Sequence, residues 1–125
     1  MSDLSLGQLE LAWRQAARDI DREIATEVRA TAAKVADTQR ATVPVHTGRT
    51  RDSIKATGPD GAPLTPTSTE AEIGPTWFVG GLIETGTATQ APRPFVGPSY
   101  APHRADHERR VLDAGVRAAL RGLGG

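Results

Sequence analysis

Three groups of ionisable residues in this chain have the types and spacing to do chemistry. Glu84 closes an apolar run, Trp77-Phe78-Val79 then Leu82-Ile83, and stands two residues before Gly86. A carboxyl group in that setting could serve as a general acid or base, a role that needs a partner group and a cleft. The sequence names neither. The structural alternative is that the carboxylate accepts hydrogen bonds from amides near Gly86 and Thr87, or pairs with Arg51 or Arg93, and so fixes a loop. His103 and His107 stand four apart where a helix is expected, the spacing that brings two imidazoles to one metal ion. Their context is H-R-A-D-H rather than H-E-x-x-H, no third ligand is indicated, and the simpler reading is two solvent-facing histidines at a helix start. His46, in a Pro-Thr-Gly connection, reads as a capping or stacking group. Arg49, Arg51 and Lys55 form a local positive patch, and Arg104, Arg109, Arg110, Arg117 and Arg121 form a second. Contact with DNA is the chemistry such patches offer. The acids interspersed among them, Asp52, Asp106, Glu108 and Asp113, favour a solvated or interface face laced with salt bridges. No catalytic residue, cofactor-binding residue or metal ligand is assigned, because no nucleophile and base pairing, phosphate-cradling glycine loop or ligand set is present.

The totals narrow the classes further. With 125 residues the chain is read as one domain, residues 1–125, and five aromatic side chains give it only a modest core. Fifteen acidic and fifteen basic residues balance, so no global field attracts nucleic acid or an anionic membrane. The absence of Cys removes disulfides and thiolate metal sites and fits synthesis in a reducing cytoplasm. No signal peptide is expected, and no apolar stretch approaches the ~20 residues of a membrane span.

The elements that must position these residues begin with a long helix. Leu6, Leu9, Trp13, Ala16, Ala17, Ile20, Ile24, Val28, Thr31, Val35, Thr38 and Thr42 recur in steps of three and four, an amphipathic stripe over residues 4–43. Ser5 and Gln8 make a capping box, and Pro44 supplies the stop. Such a helix outruns a domain of this size, so either it bends or its stripe is covered by another copy or partner; the alternative is a helix packed on its own sheet with a frayed start. Leu4 and Leu11 fall off the stripe and hint at a second contact face. Residues 51–74 are expected to form a hairpin, with a strand over Arg51–Thr57, a second over Glu70–Ile73 and a loop arm between them. Residues 76–98 form a docking segment: a short helix over Trp77–Glu84 loosened by Gly80-Gly81, then a loop shaped by Gly86 and Pro94. A second amphipathic helix spans residues 99–121, its regular part starting at Pro102 or just after, with an apolar face of Tyr100, Val111, Leu112, Val116, Ala119 and Leu120 and an end at Gly122 to Gly125. The fold class is therefore α+β, two helices on a small, mainly antiparallel sheet with an extended loop arm.

The run Ile83-Glu84-Thr85-Gly86-Thr87, then Arg93-Pro94-Phe95 and Pro98, preceded by Pro44-Val45-His46-Thr47-Gly48-Arg49-Thr50-Arg51-Asp52-Ser53-Ile54, resembles the small neck or tail-completion proteins, also called head-tail joining proteins, of long-tailed double-stranded-DNA bacteriophages. In that family the corresponding motifs read P-x-x-T-G-x-L-R-x-S-I, Y-A-x-x-V-E-x-G-T and P-F-L-x-P, in the same order between two helices. Thr50 stands here for Leu, Val79-Gly80 for Tyr-Ala, and Val96 for Leu. The resemblance implies a non-enzymatic virion protein that assembles with itself into a ring, hexameric by family analogy, between the connector or stopper protein of the head and the tail-tube protein. DNA would pass through the lumen without specific binding, no membrane would be involved, and the protein would reside in the neck or head-proximal tail after assembly in the host cytoplasm. Thr47, Gly48, Arg51, Ile54, Trp77, Phe78, Ile83, Glu84, Gly86, Thr87, Arg93, Pro94 and Phe95 are the residues expected to form interfaces or shape the loop. Tail terminator and stopper are neighbouring roles, and a small DNA-binding or regulatory module is the rival from another class.

Overall fold

The computed structural model describes residues 5–45 and 48–124. Leu4, His46 and Thr47, for which a second contact face, a cap and a loop-shaping role are expected, lie outside the described residues.

Helix α1 spans Leu6–Thr42. Its start is the expected capping box: the Ser5 hydroxyl accepts from the Gln8 amide at 3.1 Å, and the Gln8 side chain accepts from the Ser5 amide at 2.8 Å. Its stop is Val43, which turns extended ahead of Pro44 because a residue before proline is pushed out of helical geometry. Thirty-seven residues at ~1.5 Å each make a rod of roughly 55 Å, and its burial divides it. From Ala25 onward the rod buries Ala25, Val28, Thr31, Ala32, Val35, Ala36 and Gln39, whereas Leu6, Leu9, Leu11 and Trp13 near its start are exposed. The rod thus packs on its own sheet and also extends past its own domain.

A single helical turn, α2, covers Arg49–Asp52, and strand β1 begins only at Ile54 and runs to Thr57. The strand expected from Arg51 is shortened because Gly48, at φ 81°, starts a helical turn whose carbonyls bond the Asp52 and Ser53 amides. Strand β2 covers Glu72–Pro75 and pairs antiparallel with β1, Ile54 opposite Pro75 and Ala56 opposite Ile73. Ile54 and Ile73 join the core, while Lys55 and Glu72 face solvent. A two-stranded sheet this short is not stable by itself; α1 backs it, and the Arg40 guanidinium donates to the Ile54 carbonyl at 2.9 Å. The connecting segment between the strands turns at Pro59–Gly61 and again at Thr65–Ser68, and the Arg29 guanidinium holds the Thr65 carbonyl at 3.1 Å against α1.

Helix α3 spans Val79–Thr85, two short 3-10 turns cover Gly97–Ser99 and Ala101–His103, and helix α4 spans Arg104–Gly124. The C-terminal helix lies antiparallel along α1, and two of the expected features of that packing are corrected. The face turned to α1 is not the large-residue stripe but Ala114 and Ala118, both fully buried, while Leu112, Val116 and Leu120 are 66%, 48% and 67% exposed. Gly122 does not end the helix: a Cβ there would lie 2.7 Å from that of Ala16, so the glycine is what lets the two rods touch. His103 and His107 are not solvent-facing either. His107 Nδ1 lies 2.5 Å from the Thr31 hydroxyl and His103 Nε2 lies 2.6 Å from that of Thr38, so the pair, one helical turn apart, stitches α4 to α1. Ion pairs flank the seam, Lys34 with Asp106, Glu27 with Arg110 and Glu23 with Arg121.

Candidate functional site

The core is small: Phe95, 1% exposed, sits among Ala36, Val43 and Ile54, with Ile73, Ile83 and Val96 packed around them. Phe95 is carried on a loop rather than on a regular element, so something other than secondary structure must hold it. Glu84 does so. Its Oε2 accepts from the amides of Phe95 at 2.6 Å and Val96 at 2.9 Å, and its Oε1 accepts from the Gly97 amide at 2.8 Å. Partial burial pushes the Glu84 pKa up, but the amides of Val96, Gly97 and Phe95 together outweigh it and hold the carboxyl below its ordinary value. A carboxylate whose two oxygens are engaged by three amides is held ionised, which suits an anchor and opposes a general acid.

The anchor was expected, but its donors were not. The amides near Gly86 and Thr87 turn elsewhere: Gly86 donates to the Leu82 carbonyl and Thr87 to that of Gln90. Neither Arg51 nor Arg93 pairs with Glu84; the Arg51 guanidinium lies beside Asp52, and the Arg93 amide donates to the Ile83 carbonyl while its side chain is exposed. The loop from Gly86 to Arg93 therefore closes on α3 and delivers Pro94 and Phe95 to the carboxylate. Gly86 is required for the closure, since its φ is 82° and a Cβ would fall 2.9 Å from Pro92.

A second knot joins the two motif regions. The Ser53 hydroxyl donates to the Thr50 carbonyl at 2.7 Å and accepts from the Trp77 amide at 3.1 Å, and the Ser53 carbonyl accepts both the amide and the hydroxyl of Thr76. Above it the Arg49 guanidinium stacks over the Trp77 ring at 3.8 Å, and Phe78 leans on Trp77 with ring centroids 4.7 Å apart. Phe78 itself is 70% exposed, and Trp77 is half-buried, so neither belongs to the core. Between Pro44, Gly48, Arg49, Thr50, Trp77 and Ile83 lies a mostly apolar cleft of about 280 Å³. Thr50, where the resembling proteins favour Leu, is buried with its methyl against Gly80, whose missing Cβ would strike Pro75 at 2.4 Å. The smaller residue fits the close approach of α3 to the sheet.

Compared with known protein families, residues 8–86 match the family described as "Bacteriophage HK97-gp10, putative tail-component". The chain belongs to this family. It is accordingly a tail-associated structural component of a bacteriophage. No curated protein and no solved structure matches the chain. The span matched to the HK97-gp10-like family contains α1, the sheet, the Ser53 knot and the anchor Glu84, and stops just before the loop that Glu84 holds.

Three residues hold this framework by contacts that the sequence does not announce. Ser53 was legible only as a motif letter. Gln39 lies on α1 between expected stripe positions; it is buried, and its amide donates to the Ile73 carbonyl and the Ser99 hydroxyl at 3.1 Å each, tying α1 to β2 and to the turn after Phe95. Thr31 stood in the stripe as a small residue, with no signal that its hydroxyl meets His107. Among the described residues no group of His, Asp and Glu is arranged to hold a metal ion, and no helix is long and apolar enough to cross a membrane.

Proposed function

We propose that this protein is a subunit of the phage neck, a ring that completes the tail and joins it to the head connector. Membership of a tail-component family supports a structural role in the virion. The observation that carries the finer reading is the inversion of side-chain size along the helices. Alanine and threonine, with Val28 and Val35, fill most of the interior of the helix pair, while Leu6, Leu9, Trp13, Leu112, Val116, Leu120 and, on the docking segment, Phe78 and Leu82 are left outside. A chain that places its larger apolar residues on the surface is completed by other chains. Its partners are further copies of itself, in a ring that is hexameric by family analogy, the tail-tube protein on one side and a connector or stopper protein on the other. The balanced net charge suits a lumen that lets DNA pass without gripping it.

The test is the mass of the purified chain by light scattering over a concentration series, alone and with the tail-tube protein. A discrete ring, or a monomer that becomes a ring on the tube, is the expected result. A monomer or dimer that ignores the tube and shifts duplex DNA in a salt-sensitive manner would replace this reading with a DNA-binding one centred on the Arg-bearing α4.

A further inference from the structure

A proline-rich loop and an apolar groove stand on this chain at places where they cannot meet each other. The loop is the arm between the two strands. Its Pro63-Leu64-Thr65-Pro66 is a P-x-x-P sequence, and Ala62 ahead of it has φ −65° and ψ 150°, the polyproline II geometry. Pro59, Pro63 and Pro66 are all exposed. The groove runs across α3. The cleft beside Trp77 and a second of about 190 Å³, lined by Leu82, Thr87, Ala91 and Arg93, share Val79 and Ile83 and so form one apolar surface. We infer that the loop arm of one copy lies in the groove of the next copy. This deepens the self-assembly part of the proposed function, on which it rests.

A proline-rich segment enters an aromatic-lined groove at low entropic cost because its rings already fix the backbone, and Trp77 with Phe78 leaning on it supplies the aromatic wall. Charge favours this chain's own arm as the occupant. Three guanidinium groups rim the groove, Arg49 and Arg51 at one cleft and Arg93 at the other. The acids beside it are engaged, Asp52 with Arg51 and Glu84 with the amides of Phe95, Val96 and Gly97. The loop arm, residues 58–71, carries Asp60 before its prolines, Glu70 after them and no base. Neither acid forms an ion pair among the described residues. Within one chain arm and groove lie at opposite ends of the strand pair, the arm beyond Thr57 and Glu72, the groove beyond Ile54 and Pro75. Arg29 also holds the arm at Thr65, fifteen residues before Pro44 of the groove, roughly 22 Å of helix. The contact joins two different surfaces, so repetition gives a ring or a filament rather than a closed pair. The Phe95 core and its Glu84 anchor are closed within each chain, so the contact joins folded chains rather than completing one.

The chain has no Cys of its own, so oxidative cross-linking can be directed to chosen positions. Chains carrying Ala62→Cys, on the arm, and chains carrying Val79→Cys, in the groove, are distinguished by mass, mixed and oxidised, and circular dichroism checks that every variant folds. The expected product is the mixed dimer. Its yield should fall about tenfold when the Ala62→Cys chain also carries Asp60→Arg and Glu70→Arg, and return when the Val79→Cys chain carries Arg51→Glu and Arg93→Glu. Pro63→Ala with Pro66→Ala should lower it as well. A mixed dimer whose yield ignores these substitutions would overturn the contact, as would dimers of the Ala62→Cys chain alone. A Val79→Cys thiol shielded from alkylation only by the tail-tube protein would give the groove to that protein instead and overturn it too. No cross-link from a protein that light scattering shows to be a ring would overturn the contact and leave the neck reading standing; no cross-link and no ring, alone or on the tube protein, would overturn both.

Discussion

The two ends of this molecule are built on opposite rules. At the sheet end one large side chain, Phe95, is buried and a charged anchor, Glu84, holds it by three backbone amides. At the helical end the seam is made of buried Ala16, Ala114 and Ala118 with half-buried Gly122, and Leu6, Leu9, Leu11, Trp13, Leu112 and Leu120 are exposed. Burial of an aromatic side chain contributes several times what an alanine does. The difference separates where the fold is stabilised from where it offers surface: the sheet end holds the chain together, and the helical end leaves its larger apolar side chains outside.

Substitutions should divide along the same line. The largest effect is expected from Phe95→Ala, which removes the core's only fully buried aromatic and should cost about 3–5 kcal/mol, read as a drop in Tm of roughly 10 °C or more. Gly122→Leu tests the seam at the other end: a side chain in place of the contact with Ala16 should cost about 1–3 kcal/mol as the helices are forced apart. Glu84→Gln keeps the shape of the anchor and removes its charge, and a loss of about 1–2 kcal/mol is expected near neutral pH, at the low end because the group is partly open to water. The loss should depend on pH with a definite sign. The folded-state pKa of Glu84 is depressed, so the stabilisation is fully present above the unfolded value of about 4.3 and disappears as pH falls through the lower folded value. Wild type and Glu84→Gln should therefore converge in acid, as denaturant titrations at several pH values would register. The smallest effect on monomer stability, within about 0.5 kcal/mol, is expected from Leu112→Ser with Leu120→Ser, combined with a loss of self-association. A large destabilisation by that pair would erase the distinction between the two ends.

The same contrast explains what was legible in the sequence. Local signals were read correctly because they act locally: Ser5 with Gln8 starts α1 and Pro44 stops it, and Gly86 shapes a turn at positive φ. Where two elements meet, the sequence misled. Periodicity picks out the larger apolar residues, so Leu112, Val116 and Leu120 read as the inward face of α4, yet the close approach of α1 selects Ala114, Ala118 and Gly122. The acceptor role of Glu84 followed from one acid after an apolar run, but its donors lie eleven to thirteen residues further on, brought back by a closure that nearest-neighbour reasoning does not reach. Likewise two histidines four apart read as solvent-facing because their partners, Thr31 and Thr38, lie on another helix more than sixty residues away.

The central claim is that the sheet end is complete within one chain and the helical end is not. Amide hydrogen exchange over a concentration series tests it most directly. The expected result is that the amides of Phe95, Val96 and Gly97 are protected to the same degree at every concentration, while residues 6–15 of α1 gain protection as the protein associates. Concentration-dependent protection at Phe95 to Gly97, or an α1 arm whose exchange ignores concentration while the protein oligomerises, would contradict it.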